Sequence, residues 1–309
     1  MVREKSQYPP AEIERLCRSL WIGSYDRRNM VIVLSGYNAF FDASYQKTTD
    51  GGQTIVAGYV SSVEQWAQWE INWRLVLAAF DVPYFKMSEF LGCREAFKHH
   101  KWRSNSYRAR FVSQLIDVTK EWTEASFGAL LKHPRFNFHN VFYELDTRYN
   151  PFVFCGRDCA IRVMKFVREE YKSDSPIAYI FDQGDEGRGM LMTEMEAASL
   201  PSPIFKRSRP DLKNPRMDID DPPAIQLQAC DLVAYEIGRG DIDFKLGKQL
   251  RKSLRAIGNI KNRRWTDIKD EDINLRMRNA GIQLRPAARC LENPALFTKA
   301  RSFVFKQKP

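Results

Sequence analysis

The sequence predicts an α/β protein in which helices flank a mixed β-sheet that begins with an antiparallel hairpin. Two observations indicate this class. The strand-like segments Tyr37–Ser44 and Thr54–Val60 are separated by Thr49–Gly52, a strong turn signal, so they are expected to pair as a hairpin. Further along the chain, short apolar runs alternate with segments of helical periodicity, which is the pattern of strands joined by helices.

The N-terminal part of the chain is expected to supply a lead-in and the first long helix. Residues 1–30 are polar, with one short helix near Ala11–Leu20, and the apolar run Val31–Leu34 precedes the hairpin. A helix is expected from Ser62, because Ser61 or Ser62 can cap it. Large apolar residues then recur at steps of three and four, which indicates core packing along one face; they are Trp66, Trp69, Trp73, Val76 and Phe80.

The middle of the chain is expected to alternate between strands and helices. Residues 83–90 are predicted as a short strand that leads into an irregular segment. Helices are expected at Ser106–Trp122 and Phe152–Tyr171, with the strand Ser126–Leu131 between them. The continuous apolar run Pro176–Asp182 is typical of a strand that is buried on both faces.

The last predicted elements follow a glycine-containing loop at residues 184–189. A helix is expected near Met190–Ala198, and Ile204-Phe205 is a candidate short strand. The clearest helix of this part is Ala224–Ile237, which follows two prolines and is expected to end at Gly238.

The composition of the 309-residue chain is that of a protein with a sizeable core, since 44% of its residues are hydrophobic and 13% aromatic, which excludes general disorder. No apolar run reaches about 18 residues, the length of a membrane span, and Met1–Lys5 lacks the apolar stretch of a signal peptide. Six cysteines are scattered along the chain, so a reduced, cytoplasmic protein is expected. Cys155 and Cys159 share a helix face and are expected to be buried, because no second Cys/His pair completes a zinc site.

Positive charge is concentrated at the C-terminal end of the chain. Residues 1–240 hold 31 Lys and Arg against 31 Asp and Glu, whereas residues 241–309 hold 17 against 7. The chain is therefore divided into a lead-in (1–30), an α/β domain (31–240) and a basic C-terminal extension (241–309). Clustered cations favour a polyanionic partner such as DNA or RNA. The alternative is a solvated extension without a partner.

Two segments interleave cations with aromatic residues, a mixture that suits phosphate contacts combined with base stacking. The candidate nucleic-acid-binding residues in them are Lys98, Lys101, Trp102, Arg103, Lys261, Arg263, Arg264 and Trp265. The alternative for the first segment is a solvated loop that enters a helix, and the second is open to the same alternative.

Three aspartates stand where a surface role is hard to explain. Asp42 and Asp182 each follow an apolar stretch of a strand, and Asp231 lies in a helical segment whose neighbours are nearly all apolar. Burying one carboxylate costs about 5 kcal/mol or more unless it is paired or binds a cation. Acids that converge repel one another, and a divalent ion such as Mg²⁺ or Mn²⁺, which prefers oxygen ligands, resolves the repulsion. The alternative for each acid alone is an arginine partner or a role in capping a helix or turn.

Three further acids could take part in a site. Glu89 is a fourth candidate, because its apolar neighbours indicate partial burial, although an ordinary loop acid fits as well. In the glycine-containing loop, Asp185 and Glu186 could repel phosphate or supply a spare ligand. The sequence contains neither the serine-hydrolase elbow nor the zinc-protease helix motif, so those two enzyme classes have no support.

Around these acids the sequence resembles an uncharacterised bacterial family, domain of unknown function 3800 (DUF3800). Asp42–Ser44 resembles its first-strand motif, and Gly58–Val60 its second strand. Phe181-Asp182 resembles its central strand, and Leu227–Tyr235 its C-terminal Gln-x-x-Asp-Leu helix; the resemblance covers roughly residues 37–240. It implies a ribonuclease-H-like fold, with an antiparallel hairpin followed by parallel strands and with acids on the first strand, a central strand and a late helix.

The same resemblance implies a two-metal nuclease site. Its catalytic and metal-binding residues would be Asp42, Glu89, Asp182 and Asp231. Asp42 would bridge two Mg²⁺ or Mn²⁺ ions about 4 Å apart, and Ser44 and Gln228 would orient carboxylates or contact the substrate. The sequence therefore predicts a metal-dependent nuclease that acts on DNA or RNA. The alternatives are a non-catalytic nucleic-acid-binding protein on the same fold and a glycosidase that uses a pair of carboxylates.

Overall fold

The computed structural model describes residues 36–172, 175–214 and 216–280. The helix expected near Ala11–Leu20, the apolar run Val31–Leu34 and the end of the basic extension lie outside these residues. Within them the prediction of an α/β protein with a mixed sheet is confirmed.

One mixed sheet contains the six strands of the described residues, which are β1 (Tyr37–Gln46), β2 (Gln53–Ser62), β3 (Ala125–Lys132), β4 (Ile177–Asp182), β5 (Ile204–Lys206) and β6 (Arg263–Asp267). Their order across the sheet is β5-β4-β1-β2-β3-β6. β2 is antiparallel to β1 and to β3, whereas β4 is parallel to β1, β5 to β4 and β6 to β3. The predicted hairpin and the three later predicted strands are confirmed, with small shifts in their bounds.

Helices connect and flank these strands. In the described residues they are α1 (Val63–Ala79), α2 (Met87–Gly92), α3 (Asn105–Trp122), α4 (His133–Tyr143), α5 (Pro151–Tyr171), α6 (Arg188–Ala197), α7 (Met217–Asp220), α8 (Leu227–Lys245), α9 (Lys252–Gly258) and α10 (Asp270–Asn279). Ser62 caps α1 as predicted, because its side chain accepts a hydrogen bond from the N–H of Gln65 (3.3 Å). The helices predicted near α3, α5 and α6 are confirmed within two residues at each end.

The two faces of the sheet carry two separate cores. On one face, α1, α3 and α8 surround Trp66, Trp69 and Trp73, which are fully buried, so the predicted core role of the tryptophan stripe is confirmed. On the other face, α5 packs against β2 and β3 and buries Cys155 and Cys159 completely, as predicted. None of the helices in the described part of the chain has the length and apolar composition that a membrane span requires.

The turn between β1 and β2 depends on two glycines. Gly51 and Gly52 have φ values of 107° and 111°, a region that residues with a side chain rarely adopt. The turn sets an antiparallel register in which Asp42 lies opposite Ala57. The hairpin that carries Asp42 therefore fixes its position in the middle of β1.

Two predictions of local structure are wrong, and some elements were not expected from the sequence. Residues 83–90 contain no strand, and the chain enters α2 at Met87. Helix α4 was not expected from the sequence. Helix α8 continues past Gly238 to Lys245. A Cβ at position 238 would lie 2.5 Å from Ile55 Cδ1, too close for any residue other than glycine. This glycine therefore permits close packing of the helix on the sheet and does not end the helix.

The predicted basic extension begins inside the domain. The boundary expected at residue 240 falls within α8, and β6 adds a parallel strand to β3. Ile273 and Met277 of α10 are buried in the same core as β3. Residues 241–280 are therefore part of the unit formed by the sheet and its helices.

Candidate active site

Two neighbouring parallel strands bring the first pair of predicted acids together. Phe41 of β1 pairs with Phe181 of β4, so Asp42 and Asp182 come next in the same register. Side chains alternate between the two faces of a strand, and the residue two positions before each aspartate packs in the core below α8. Asp42, in the middle of β1, and Asp182, the last residue of β4, therefore lie side by side and face the α8 layer.

Helix α8 brings Asp231 close to Asp42, since one ammonium group, that of Lys86, pairs with both. The helix packs against β1 and β2, and the Sγ of Cys230 donates to the backbone oxygen of Phe40 (3.1 Å). Asp231 Oδ2 accepts a hydrogen bond from the N–H of Met87 (2.6 Å). The first N–H groups of a helix lack partners within the helix, so this contact explains why α2 begins at Met87.

The ammonium group of Lys86 lies between the acids of the sheet and the helix. Its Nζ is 3.5 Å from Asp42 Oδ2 and 3.6 Å from Asp231 Oδ1. Both aspartates are buried, with exposed fractions of 3% and 7%, so water screens these ion pairs weakly. Lys86 therefore supplies positive charge to two carboxylates that have little access to solvent.

A fourth aspartate joins the group from the loop after β4. Asp185 is 9% exposed, and the hydroxyl of Tyr45 lies 3.5 Å from its Oδ1. Its Oδ2 is buried and accepts no hydrogen bond from any residue that the structure describes, whereas the buried Oδ2 of Asp42 faces Lys86 Nζ at 3.5 Å. Asp182 holds this loop through its Oδ1, which accepts from the N–H of Gly184 (2.8 Å). One buried oxygen of Asp185 is thus left without a donor among the described residues.

The electrostatics of these groups reflect an excess of negative charge. Burial raises the pKa of Asp42 well above its ordinary value, Lys86 lowers it, and the three other aspartates raise it again. Burial, followed by the charge of Asp182, raises the pKa of Asp185 to about 7. Burial lowers the pKa of Lys86, but the carboxylates outweigh this effect and raise it above its ordinary value. One ammonium group therefore serves four carboxylates, a balance that favours a bound cation.

Glu89 lies beside a cleft and has partners of its own. Its Oε2 accepts a hydrogen bond from the hydroxyl of Tyr84 (2.7 Å), and its Oε1 pairs with the guanidinium of Arg209. The cleft has a volume of about 610 Å³, and Glu89, Arg209 and Asp182 all line it. The structure therefore places Glu89 on the same cleft as Asp182, paired with a different cation from the one that serves the aspartates.

The two residues expected to orient carboxylates make other contacts. Gln228 Oε1 accepts from Trp73 Nε1 (3.0 Å) and from the N–H of Phe85 (2.9 Å). Its Nε2 donates to the backbone oxygen of Ser208 (2.8 Å). Gln228 therefore fixes two loop segments, one before α2 and one after β5, against α8. Ser44 Oγ accepts a long hydrogen bond from the glutamine two residues later (3.3 Å).

The first basic and aromatic segment is partly a core element. Trp102 is fully buried among aromatic rings next to α3, so it presents no face to a base and the prediction for this residue is wrong. Lys101 Nζ donates to a backbone carbonyl at the end of α1 (3.1 Å). Lys98 and Arg103 are exposed, and for them nucleic-acid contact stays a prediction.

The second basic and aromatic segment forms the edge of the sheet beyond β3. Two strands separate β6 from β1, a distance of about 14 Å at the usual spacing of strands. Arg264 pairs with Glu170 (2.9 Å), and Trp265 donates through Nε1 to a serine of β3 (2.9 Å). Lys261 and Arg263 are exposed. This segment is therefore separate from the aspartates, and its role in binding stays a prediction.

Two residues of the site carry no signal in the sequence. Lys86 and Arg209 are ordinary cations in polar or mixed surroundings, and only the folded chain brings them to the acids. Asp185 does have a signal, because it follows Asp182 by three residues in a loop that leaves a buried strand. A second acid within three residues of an acid that ends a buried strand is the signal that could have identified Asp185.

No protein-family model matches this chain, and neither a curated protein nor a solved structure matches it. The function is therefore inferred from the geometry and charge of the site. The resemblance to DUF3800 stays a prediction.

The donor chemistry of the site suits a hard divalent cation. In the described part of the chain, no three His, Cys, Asp or Glu side chains are arranged so that they could hold a metal ion as they stand. Carboxylates from β1 and α8 are instead paired with Lys86, and the buried Oδ2 of Asp185 lacks a donor among the described residues. Oxygen donors of this kind are those that Mg²⁺ and Mn²⁺ prefer, and such an ion would compete with the ammonium group for the same carboxylates.

Proposed function

We propose that this protein is a divalent-metal-dependent nuclease that hydrolyses phosphodiester bonds of DNA or RNA. The observation that carries the proposal is the meeting of four aspartates beside the carboxyl end of β4 with one ammonium group between two of them; they are Asp42, Asp182, Asp185 and Asp231. An unpaired buried charge costs several kcal/mol, so without a ligand the site needs either more positive charge than Lys86 supplies or protons on Asp42 and Asp185, whose pKa values are raised. A cationic ligand accounts for the excess.

The three aspartates predicted from the sequence would hold the ions. Asp42, Asp182 and Asp231 would bind two Mg²⁺ or Mn²⁺ ions, with Asp42 shared between them and Asp185 as a further oxygen donor. Ions bound there would supply an activated water as the nucleophile and positive charge for the leaving oxygen of a phosphodiester. The protein itself fixes the ligands, because the register of β1 and β4 orients the first two and the N–H of Met87 holds the third.

The topology supports a ribonuclease-H-like fold. Strands β1, β2 and β3 form an antiparallel meander, and β4 and β5 continue beside β1 as parallel strands. The acids lie on the first strand, on a central strand and on a late helix, which is the arrangement that the resemblance to DUF3800 implies. We therefore propose membership of this family, with β6 and the helices around it as additions to the fold.

Exposed cations support a nucleic-acid substrate. Lys98, Arg103, Lys261 and Arg263 are open to solvent and suit contacts with backbone phosphates. These contacts would be independent of base identity, because they reach charge and not base edges. DNA and RNA are therefore both substrates to be tested.

A non-catalytic nucleic-acid-binding protein on the same fold is the second candidate. The observation that favours it is that Lys86 already pairs with Asp42 and Asp231, which holds the site together without a metal. Binding would then need only the exposed cations. The two candidates differ in whether the aspartates are required for a chemical step.

The test is cleavage of labelled single- and double-stranded DNA and RNA, with Mg²⁺ or Mn²⁺, by wild type, Asp42→Asn and Asp117→Asn. Asp117 is an exposed aspartate of α3, so its variant makes the same change of charge away from the site. Cleavage by wild type and Asp117→Asn that is lost in EDTA and in Asp42→Asn supports the nuclease. Salt-sensitive binding without cleavage in all three proteins favours the non-catalytic binder. Equal cleavage by all three proteins contradicts the assignment of these residues.

A further inference from the structure

One arginine of the cleft beside the aspartates is open to solvent. The side chain of Arg209 is 49% exposed and follows β5, in the cleft that Asp182 also lines. Arg207 lines the same cleft, but its side chain is only 15% exposed because Asp218 and Asp221 pair with it. Of these two arginines, Arg209 is therefore the one that can offer N–H donors to a ligand.

A buried carboxylate and a phenol hold the guanidinium of Arg209. Glu89, which is 8% exposed, pairs with Arg209 through Oε1 and accepts from the Tyr84 hydroxyl through Oε2 (2.7 Å). The guanidinium carbon lies 5.8 Å from the centroid of the Tyr84 ring, so a cation–π contact adds to the ion pair. A guanidinium has five N–H donors in a fixed fork, and the pair with Glu89 leaves others for a ligand.

The backbone on both sides of Arg209 is anchored. The backbone oxygen of Ser208 accepts from Gln228 Nε2 (2.8 Å), and the N–H of Asp211 lies 3.1 Å from both carboxylate oxygens of an aspartate in α7. Gln228 lies three residues before Asp231 on α8, so the two share one side of the helix. One helix therefore positions both an acid of the cluster and the segment that carries Arg209.

We propose that Arg209 binds a phosphate of the nucleic-acid substrate, with Glu89 and Tyr84 as positioning residues that orient its guanidinium. This inference rests on the proposed nuclease function and gives Glu89 a different role from that of a metal ligand, because both of its oxygens already serve Arg209 and Tyr84. The planar fork of arginine donates two parallel hydrogen bonds to two oxygens of a phosphate, which a lysine cannot do.

The charge of the cleft requires such a residue. Besides Glu89, which is paired with Arg209, three acids line it, namely Asp182, Glu95 and Asp211, and each repels an anionic phosphate. Lys213 also lines the cleft, but it is an exposed side chain on the loop and no ion pair fixes it among the described residues. Arg209 is the cation that is both open to solvent and held in place.

The test compares Arg209→Ala, Arg209→Lys and Glu89→Gln with a matched control, Arg74→Ala. Arg74 is 47% exposed and pairs with the buried Glu70, so it repeats the same kind of ion pair on α1, away from the cleft. The affinity for a labelled oligonucleotide is measured in EDTA by fluorescence anisotropy at several salt concentrations. The affinity for Mn²⁺ is measured by calorimetry, and KM and kcat by cleavage with Mn²⁺. Circular dichroism checks that each variant is folded.

We expect Arg209→Ala to weaken oligonucleotide binding roughly 10- to 100-fold and to lower the salt slope by about 0.7 to 0.9, the loss of one phosphate contact. Arg209→Lys should keep the salt slope and recover part of the affinity. Glu89→Gln should weaken binding less than Arg209→Ala does, and both should raise KM more than they lower kcat. Mn²⁺ affinity should match that of wild type in all of these variants.

Two results would overturn the inference. Binding by Arg209→Ala with the affinity and salt slope of Arg74→Ala excludes a phosphate contact by Arg209. Loss of Mn²⁺ binding in Glu89→Gln makes Glu89 a metal ligand and excludes its positioning role. Failure of the nuclease proposal gives a different result. If wild type neither binds Mn²⁺ nor cleaves, the nuclease proposal is wrong. If Arg209→Ala still weakens salt-dependent binding in that case, the phosphate contact by Arg209 is supported.

Discussion

The protein has two kinds of dense charge, and they are built in opposite ways. Beside the carboxyl end of β4 and the middle of β1, four aspartates from three distant parts of the chain surround the ammonium group of Lys86. In the segments 98–103 and 261–265, cations follow one another along the chain, and they are exposed or pair with exposed acids, as Arg264 does with Glu169 and Glu170. Charges that are adjacent in sequence are thus spread over a surface, whereas charges that are distant in sequence converge.

The difference shows which arrangement marks a site. Ion pairs at the surface stabilise a protein by about 0–1 kcal/mol, because water and salt screen them. In the aspartate group, burial and mutual repulsion raise the pKa values of Asp42 and Asp185, and one lysine does not balance the charge. Buried charge in excess of its partners is therefore the stronger indication of a ligand than density of charge along the chain.

The largest expected difference between the two regions is in the rate of cleavage. We expect Asp182→Asn to lower the rate of metal-dependent cleavage about a thousandfold, because a lost metal ligand removes roughly 4 kcal/mol of transition-state stabilisation. Lys261→Ala, in the basic segment, should change the rate less than about tenfold, since it removes at most one phosphate contact. Initial rates of cleavage measure both effects. Equal losses of rate in the two variants would contradict a special role of the aspartates in catalysis.

Removal of the ammonium group tests whether the aspartates need a cation. In EDTA, Lys86→Met leaves two buried carboxylates without their partner, and the free energy of unfolding should fall by about 2–3 kcal/mol. Lys132→Met is the matched control, because the side chain of Lys132 has the same 27% exposure and also pairs with two aspartates. Its aspartates are more exposed, so its loss should cost less than about 1 kcal/mol.

Urea unfolding measures both lysine variants, with and without Mn²⁺. Mn²⁺ should stabilise Lys86→Met more than it stabilises wild type, because the ion no longer competes with the ammonium group. Equal stabilisation of the two proteins would show that Lys86 and the metal do not share the same carboxylates.

The free energy of unfolding should depend on pH because of Asp185. Burial raises its pKa to about 7 in the folded protein, whereas an aspartate in an unfolded chain titrates near about 3.9. The folded state therefore binds this proton more tightly, and the stability present below about pH 4 is lost as the pH rises through about 7.

Asp185→Asn cannot ionise at that position, so it should be more stable than wild type at pH 8 by on the order of 2 kcal/mol in EDTA. At pH 4 the two proteins should differ little from this cause. Unfolding by urea at several pH values measures the difference. A difference that does not change with pH would mean that the Asp185 carboxylate carries no raised pKa.

The smallest effects are expected in the basic segments. Lys98→Ala and Lys261→Ala remove exposed side chains, so each should change the free energy of unfolding by no more than about 0.5 kcal/mol. Each should weaken oligonucleotide binding by about two- to fivefold and reduce its dependence on salt. Anisotropy titrations measure this, and an unchanged affinity in both variants would remove these segments from the proposed interface.

The sequence was informative where local pattern decides the structure. The hairpin, the tryptophan stripe of α1 and the three aspartates could be found because turn residues, helical spacing and acids within apolar runs are local signals. Helix α2 could not be found in this way, because the N–H of Met87 is satisfied by Asp231, which lies 144 residues away.

The functional roles of three residues could not be predicted from the sequence for the same reason; they are Lys86, Arg209 and Trp102. Lys86 and Arg209 gain their roles from partners on other elements, and Trp102 loses its expected role because the aromatic core around it closes over the ring. Gly238 was expected to end a helix, but its place against Ile55 of the sheet is a tertiary contact. In each case the deciding partner is distant in sequence.

The central claim is that the aspartates beside the carboxyl end of β4 bind a divalent cation. Calorimetric titration of Mn²⁺ into metal-stripped wild type, Asp42→Asn and Asp117→Asn tests it most directly. We expect saturable binding by wild type and by Asp117→Asn, and its loss in Asp42→Asn, because Asp42 would be the shared ligand. No saturable binding by wild type, or equal binding by all three proteins, would contradict the claim.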